Sequence, residues 1–92
     1  MHFALTCVDK PDHGPVRADN RPAHLDYLKA NAERIFAAGP ILSDDGERPV
    51  GSLLIMEFDN LSQARVFADG DPYAKAGLFE SVTIRPWRKV LP

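Results

Sequence analysis

Gly51 to Phe58 is the strongest strand pattern in the chain, and a strand laid on it is apolar on both faces. Leu54, Met56 and Phe58 take one side, Leu53 and Ile55 the other. Such a strand belongs inside a sheet, and something must cover each of its faces. The chain that has to supply the cover is only 92 residues long. That length supports one domain, residues 1–92. A domain of this size buries only roughly 60–65% of the surface its unfolded form exposes, so a partner subunit would widen a thin margin of stability.

The remaining segments arrange themselves around that strand. His2 to Val8 alternates, with Phe3, Leu5 and Cys7 on one face and Ala4, Thr6 and Val8 on the other, and reads as a strand. Asp9 to Asn20 carries Pro11, Gly14 and Pro15 and reads as a long loop. Arg21 to Ala38 reads as a helix, with Pro22 in its first turn and Leu25, Leu28, Ala32, Ile35 and Phe36 as an apolar stripe. Gly39-Pro40 stops it, and Ile41 to Ser43 is a short strand. Asp44 to Glu47 is a turn, with Gly46 free to take positive φ. Asn60 to Gln63 has the form of a capping box opening a second helix, whose core side is Leu61, Ala64, Phe67 and Ala68 and whose end is Gly70. A separate turn from Asp71-Pro72 to Gly77 precedes the last strand, Leu78 to Val90, which Pro86 places at an edge or bulge.

The order is β-α-β-β-α-β, an α+β class chain. Two crossover helices on one face of an antiparallel sheet make a ferredoxin-like layer. The second face needs a lid, and a homodimer packed sheet to sheet, leaving a cavity between the layers, would supply it.

Charge and composition narrow the function. The net charge is −2 with no basic block, which excludes a phosphate-backbone partner and hence nucleic acid. No apolar run reaches membrane-spanning length. One cysteine precludes an internal disulfide, and Asp9-Lys10 ends the first apolar stretch too early for a signal peptide, so the expected compartment is the cytoplasm. His2, His13 and His24 lack metal-ligand spacing, so no metal or other cofactor is expected.

Two residues carry the most chemistry. His24, placed in the first turn of its helix at the edge of the apolar stripe, can reach a cavity, and the positive helix end favours a neutral imidazole that accepts a proton. On its own it reads first as a boundary histidine with a satisfied ring. Asp71 precedes a proline and has the form of an N-cap accepting from Tyr73 or Ala74. If it meets His24 in space, its carboxylate fixes the imidazole tautomer and strengthens the other nitrogen as a base. Arg21 and Tyr27 flank His24 and are candidates for an anionic or phenolic ligand, with Ser52 a further oxygen-binding candidate. Surface arginine and half-buried tyrosine are the plain readings of the first two. Cys7 reads as a small buried hydrophobe, and Trp87 as a core or interface anchor.

At Arg21-Pro-Ala-His-Leu-Asp-Tyr-Leu28 and Asp71-Pro-Tyr-Ala-Lys-Ala-Gly77 the chain resembles the YciI-like family, and the resemblance extends over nearly its whole length. It includes the strand ending in Asp9, the Ala38-Gly39-Pro40 break, the Gly51-Ser52-Leu53 strand entry and Ile84-Arg85-Pro86-Trp87. The resemblance implies a ferredoxin-like dimer related to dimeric α/β barrels, with His24 and Asp71 as a proton-transfer pair in a pocket and Arg21 completing an R-x-x-H pattern. One branch of the family is similar in size and in its His2-Phe3-Ala4-Leu5 opening. That branch comprises dehydrochlorinases that remove HCl from a chlorinated hydroxyhydroquinone. Two functions are therefore expected as alternatives: a small cofactor-free acid–base enzyme acting on a hydroxylated aromatic, or a non-catalytic dimer that binds a metabolite. Convergence of His24 and Asp71 on an open cavity favours the first.

Overall fold

A computed structural model of residues 1–92 runs β1 (His2–Asp9), α1 (Gly14–Ala30), a single 3₁₀ turn (Ala32–Arg34), β2 (Ile35–Leu42), β3 (Pro49–Glu57), α2 (Leu61–Gly70), α3 (Pro72–Lys75) and β4 (Phe79–Trp87). The four strands form one sheet in the order β2-β3-β1-β4, antiparallel at every pairing. This is an α+β, ferredoxin-like arrangement. As expected, the doubly apolar strand β3 lies inside the sheet. Pro40 and Pro86 both fall on edge strands, the places in a sheet that accommodate a residue without an N–H.

The register puts Leu5 opposite Leu54 and Ile84, and Phe3 opposite Met56. These side chains point to the helical face and form the core with Phe58, Ala64, Phe67 and Ala68. Full burial of a Leu, Phe or Met side chain stabilises by about 1.5–3 kcal/mol, so this face supplies most of the driving force. Helix α2 covers it with Ala64, Phe67 and Ala68, while Leu61, expected on the core side, stays 45% exposed at the helix start. Asn60 Oδ1 accepts from the Gln63 N–H at 2.9 Å, and Gln63 Oε1 accepts from the Asp59 N–H at 3.0 Å. The capping box is therefore present, shifted by one residue on its return bond. Gly51 has its Cα hydrogen against the Cys7 carbonyl, where an added Cβ would lie 2.4 Å from the oxygen, so no side chain fits there. Gly46 takes φ +75° in the β2–β3 turn, as expected.

The first helix departs from the sequence reading at both ends. It begins at Gly14, inside the expected loop, with Pro15 in its first turn, and Pro22 is an interior residue. The two breakers open a helix because a proline costs nothing where the N–H has no partner anyway. Only Lys10 to His13 remain as the connection, with Asp12 at φ +61°, a conformation aspartate tolerates. At the other end the helix stops at Ala30, and Ile35 and Phe36 belong to β2. The run from Ala32 to Ala38 has helical propensity, but pairing with β3 outweighs it: Ile35 lies opposite Met56 and Ala38 opposite Leu54. The expected helical stripe is thus divided between two elements.

The other face of the sheet carries Ala4, Thr6, Val8, Leu53 and Ile55 with no helix over it. Val8 and Leu53 are about two-fifths exposed. At one corner the rings of His2, Phe36 and Trp87 contact one another at centroid distances of 5.6–6.0 Å. No helix is long and apolar enough to cross a membrane.

Candidate active site

Helix α1 has an inward face unlike that of an ordinary amphipathic helix: its buried residues are Arg17 and His24. Arg17, Arg21, His24 and Leu28 recur at i, i+4, i+7 and i+11 and so share one side. This helix leans on α3 rather than on the sheet. Between it and the β2–β3 half of the sheet lies an open cleft of about 690 Å³, floored by Ser52 and Leu54 and walled by Gly39, Pro40 and Val50. That volume is within the range of small-molecule sites.

His24 reaches this cleft from the middle of α1, ten residues from its start rather than in its first turn. The helix-end argument for a neutral imidazole therefore does not apply, because that effect fades within one turn. A carboxylate orients the ring instead. Asp71 sits between α2 and α3 in extended conformation (φ −61°, ψ 127°), as the following Pro72 requires. Its Oδ1 accepts from the Tyr73 N–H at 2.9 Å, making it the N-cap of α3. The same oxygen lies 2.8 Å from His24 Nδ1. An ionised carboxylate can only accept, so Nδ1 carries the hydrogen and Nε2 the lone pair. Both side chains are more than nine-tenths buried. His24 Nε2 has no hydrogen-bond partner, and no fully buried side-chain nitrogen or oxygen lacks one, so Nε2 opens to the cleft. Cap and orienting partner are thus one and the same atom.

Three features that the sequence reading did not single out complete the site: the Tyr73 ring, the Arg17 guanidinium and its carboxylate partner Asp9. Tyr73 is 1% exposed and stacks on the His24 ring at 3.9 Å with an interplanar angle of 14°. Burial raises the pKa of its hydroxyl, and the charges of Arg17 and Arg21 act against that rise. Arg17 Nε and Nη2 donate to the two oxygens of Asp9 at 2.8 and 2.9 Å, and Nη2 also donates to Ser52 Oγ at 2.9 Å. The guanidinium carbon stands 4.6 Å from the centre of the Tyr73 ring. Burial opposes the charge on Arg17, but its bonds to Asp9 more than offset this, so the group is held even more firmly protonated than usual. The signal for Arg17 was its helical spacing to Arg21 and His24, hidden because its segment read as loop.

Of the other candidates, Ser52 is buried in the cleft floor and Arg21 stands exposed on its wall. Tyr27 is elsewhere. Its hydroxyl donates to the Phe67 carbonyl at 2.9 Å, and it lines a separate hollow with Phe58 and Phe67. Cys7 is a buried thiol whose pKa is pushed up to about 12, first by burial and then by the Asp71 charge, so it stays protonated and packs as an apolar group.

The chain matches the model of the YCII-related domain over residues 1–88. It is 37% identical to protein YciI of Escherichia coli O6:H1, over 98% of this chain and 99% of the relative. It is 36% identical to an uncharacterized protein of Haemophilus influenzae, again over 98% and 99%. Among solved structures it resembles 5-chloro-2-hydroxyhydroquinone dehydrochlorinase from Burkholderia phenoliruptrix in complex with 2,5-dihydroxybenzoquinone. The TM-score is 0.89 and the identity 36%, with 96% of this chain and 94% of that one covered. With the family model spanning nearly every residue and full-length relatives above one-third identity, this chain belongs to the YCII-related family.

Proposed function

We propose that the chain is a small proton-transfer enzyme acting on a hydroxylated aromatic, with dehydrochlorination of a chlorinated hydroxyhydroquinone as its candidate reaction. The observation that carries this reading is the buried His24–Asp71 pair with its free imidazole nitrogen opening to the cleft. The likeness to a dehydrochlorinase supplies the reaction class. Asp71 holds the tautomer in which Nε2 is basic and stabilises imidazolium as it forms.

The chemistry balances without an outside oxidant. Nε2 takes a proton from a ring hydroxyl, and the released electron density makes the chlorine-bearing ring carbon basic. That carbon gains a proton, which the imidazolium can deliver. A second hydroxyl then loses its proton, and its electron pair expels chloride from the carbon. Two hydroxyl protons leave, one is returned to carbon, and the net loss is HCl. The product is a hydroxyquinone. Ser52 and Arg21 are the candidates for binding the ring oxygens. The test is chloride release from 5-chloro-2-hydroxyhydroquinone by the purified protein beside His24→Ala. The expected result is release by the parent and none above background by the variant. Equal rates would remove the reaction.

The same reading takes the protein to be a homodimer. One sheet face bears Val8, Leu53 and the His2–Phe36–Trp87 corner without a covering helix. A second copy packed on that face would bury an apolar patch that monomers rarely leave open. Sedimentation at low micromolar concentration should give a dimer, and a well-folded monomer there would contradict it.

A further inference from the structure

We propose that the cleft selects its ligand as an anion, holding an ionised oxygen (a phenolate, enolate or carboxylate) with Arg17 and Arg21 beside His24. This rests on the proton-transfer reading and deepens it: the cleft stabilises the anion that forms as a ring hydroxyl gives its proton to Nε2. The chain as a whole is acidic, with a net charge of −2. Its cleft is not. Four cations, Lys10, Arg17, Arg21 and Arg48, line it against two carboxylates, Asp9 and Asp12. Asp9 is already consumed by Arg17 through two hydrogen bonds. None of Lys10, Arg21 and Arg48 has an ion-pair partner. The positive surplus therefore faces the cavity.

The surplus is also placed next to the reacting nitrogen. Arg21 lies one turn of α1 from His24, on the same side of the helix. Arg17 uses Nε and Nη2 on Asp9 and Ser52, while Nη1 makes no hydrogen bond. No fully buried side-chain nitrogen is left unpartnered, so Nη1 keeps access to the cleft that Arg17 lines. The charges of Arg17 and Arg21 both reach the Tyr73 hydroxyl, whose ring stacks on His24. Two guanidinium groups thus line the same cleft, on the helix face that carries His24. Partial burial keeps their attraction for an anion from being fully screened.

The probe is 4-nitrocatechol, whose first ionisation, near neutral pH, changes its colour. Its titration is followed by absorbance, free and bound to the intact protein. If the site prefers the anion at least tenfold, the apparent pKa of the bound dye falls by at least about one unit. The fall should persist in His24→Gln, which removes the proton acceptor, and shrink by half or more in Arg21→Gln, an exposed position that leaves folding intact. An unshifted or raised pKa overturns the proposal, as does a failure of the dye to bind saturably at millimolar concentration. So does a shift lost in His24→Gln and unchanged in Arg21→Gln, which would assign it to the imidazole. The shift is read without turnover. If it is present while chloride release is absent, the dehydrochlorination reading falls and anion selection stands. If chloride is released while the shift is absent, anion selection falls and dehydrochlorination stands.

Discussion

Asp71→Asn should fold like the parent chain and lose roughly 10²–10⁴-fold in turnover. The expectation follows from a single atom. Oδ1 of Asp71 accepts from both Tyr73 N–H and His24 Nδ1, at 2.9 and 2.8 Å. An asparagine placed with its carbonyl oxygen there keeps both bonds, so the α3 cap and the imidazole orientation survive. Asparagine caps a helix about as well as aspartate does, and stability should stay within about 0.5 kcal/mol. What disappears is the negative charge that would stabilise imidazolium during proton transfer. Asp71→Ala separates the two roles. It removes the cap, worth about 1 kcal/mol, and leaves a buried ring N–H without an acceptor, costing about 1–3 kcal/mol more. Melting curves and rates for both variants, with His24→Ala as the inactive reference, decide the matter. Near-parental turnover in Asp71→Asn would reduce Asp71 to a helix cap. Unfolding of that variant would mean that the native state relies on an ion pair with a charged His24.

Arg17→Met should be the most destabilising substitution in the site, at about 3–5 kcal/mol. Asp9 and Arg17 both keep only 8% of their side-chain surface exposed. Removing the guanidinium leaves a buried carboxylate with no counter-charge, deprives Ser52 Oγ of its donor and takes the cation from the Tyr73 ring. Small domains have only about 5–15 kcal/mol of stability in total, so the loss is a large share of it. Urea unfolding measures the cost. The double variant Arg17→Met, Asp9→Leu should recover most of it, because it removes the stranded charge along with its partner. A single variant costing less than about 1 kcal/mol would show that Asp9 is solvated well enough not to need Arg17.

The alternation of Phe3, Leu5 and Cys7, and of Leu54, Met56 and Phe58, was legible in the sequence because a strand's period of two is a property of neighbouring residues. The Asp71-Pro72 cap and the Asn60–Gln63 capping box were legible for the same reason: each is closed by bonds spanning two to four residues. Tertiary pairing decided what local pattern misrepresented. Ile35 and Phe36 continue a helical stripe by spacing, yet lie in β2 because the apolar strand β3 needs a neighbour on that side. Gly14-Pro15 reads as a break and opens a helix, because the face from Arg17 to Leu28 has a cleft and an ion pair to serve. His24 and Asp71 were nameable as candidates, but their 2.8 Å meeting bridges 47 positions. Arg17 finds Ser52 across 35 positions, and Tyr27 turns to Phe67 across 40. The chain's local geometry is set by neighbouring backbone and side-chain sterics, which the sequence displays directly. Which distant side chains share one buried space depends on how the helices settle on the sheet, and only the folded structure contains that.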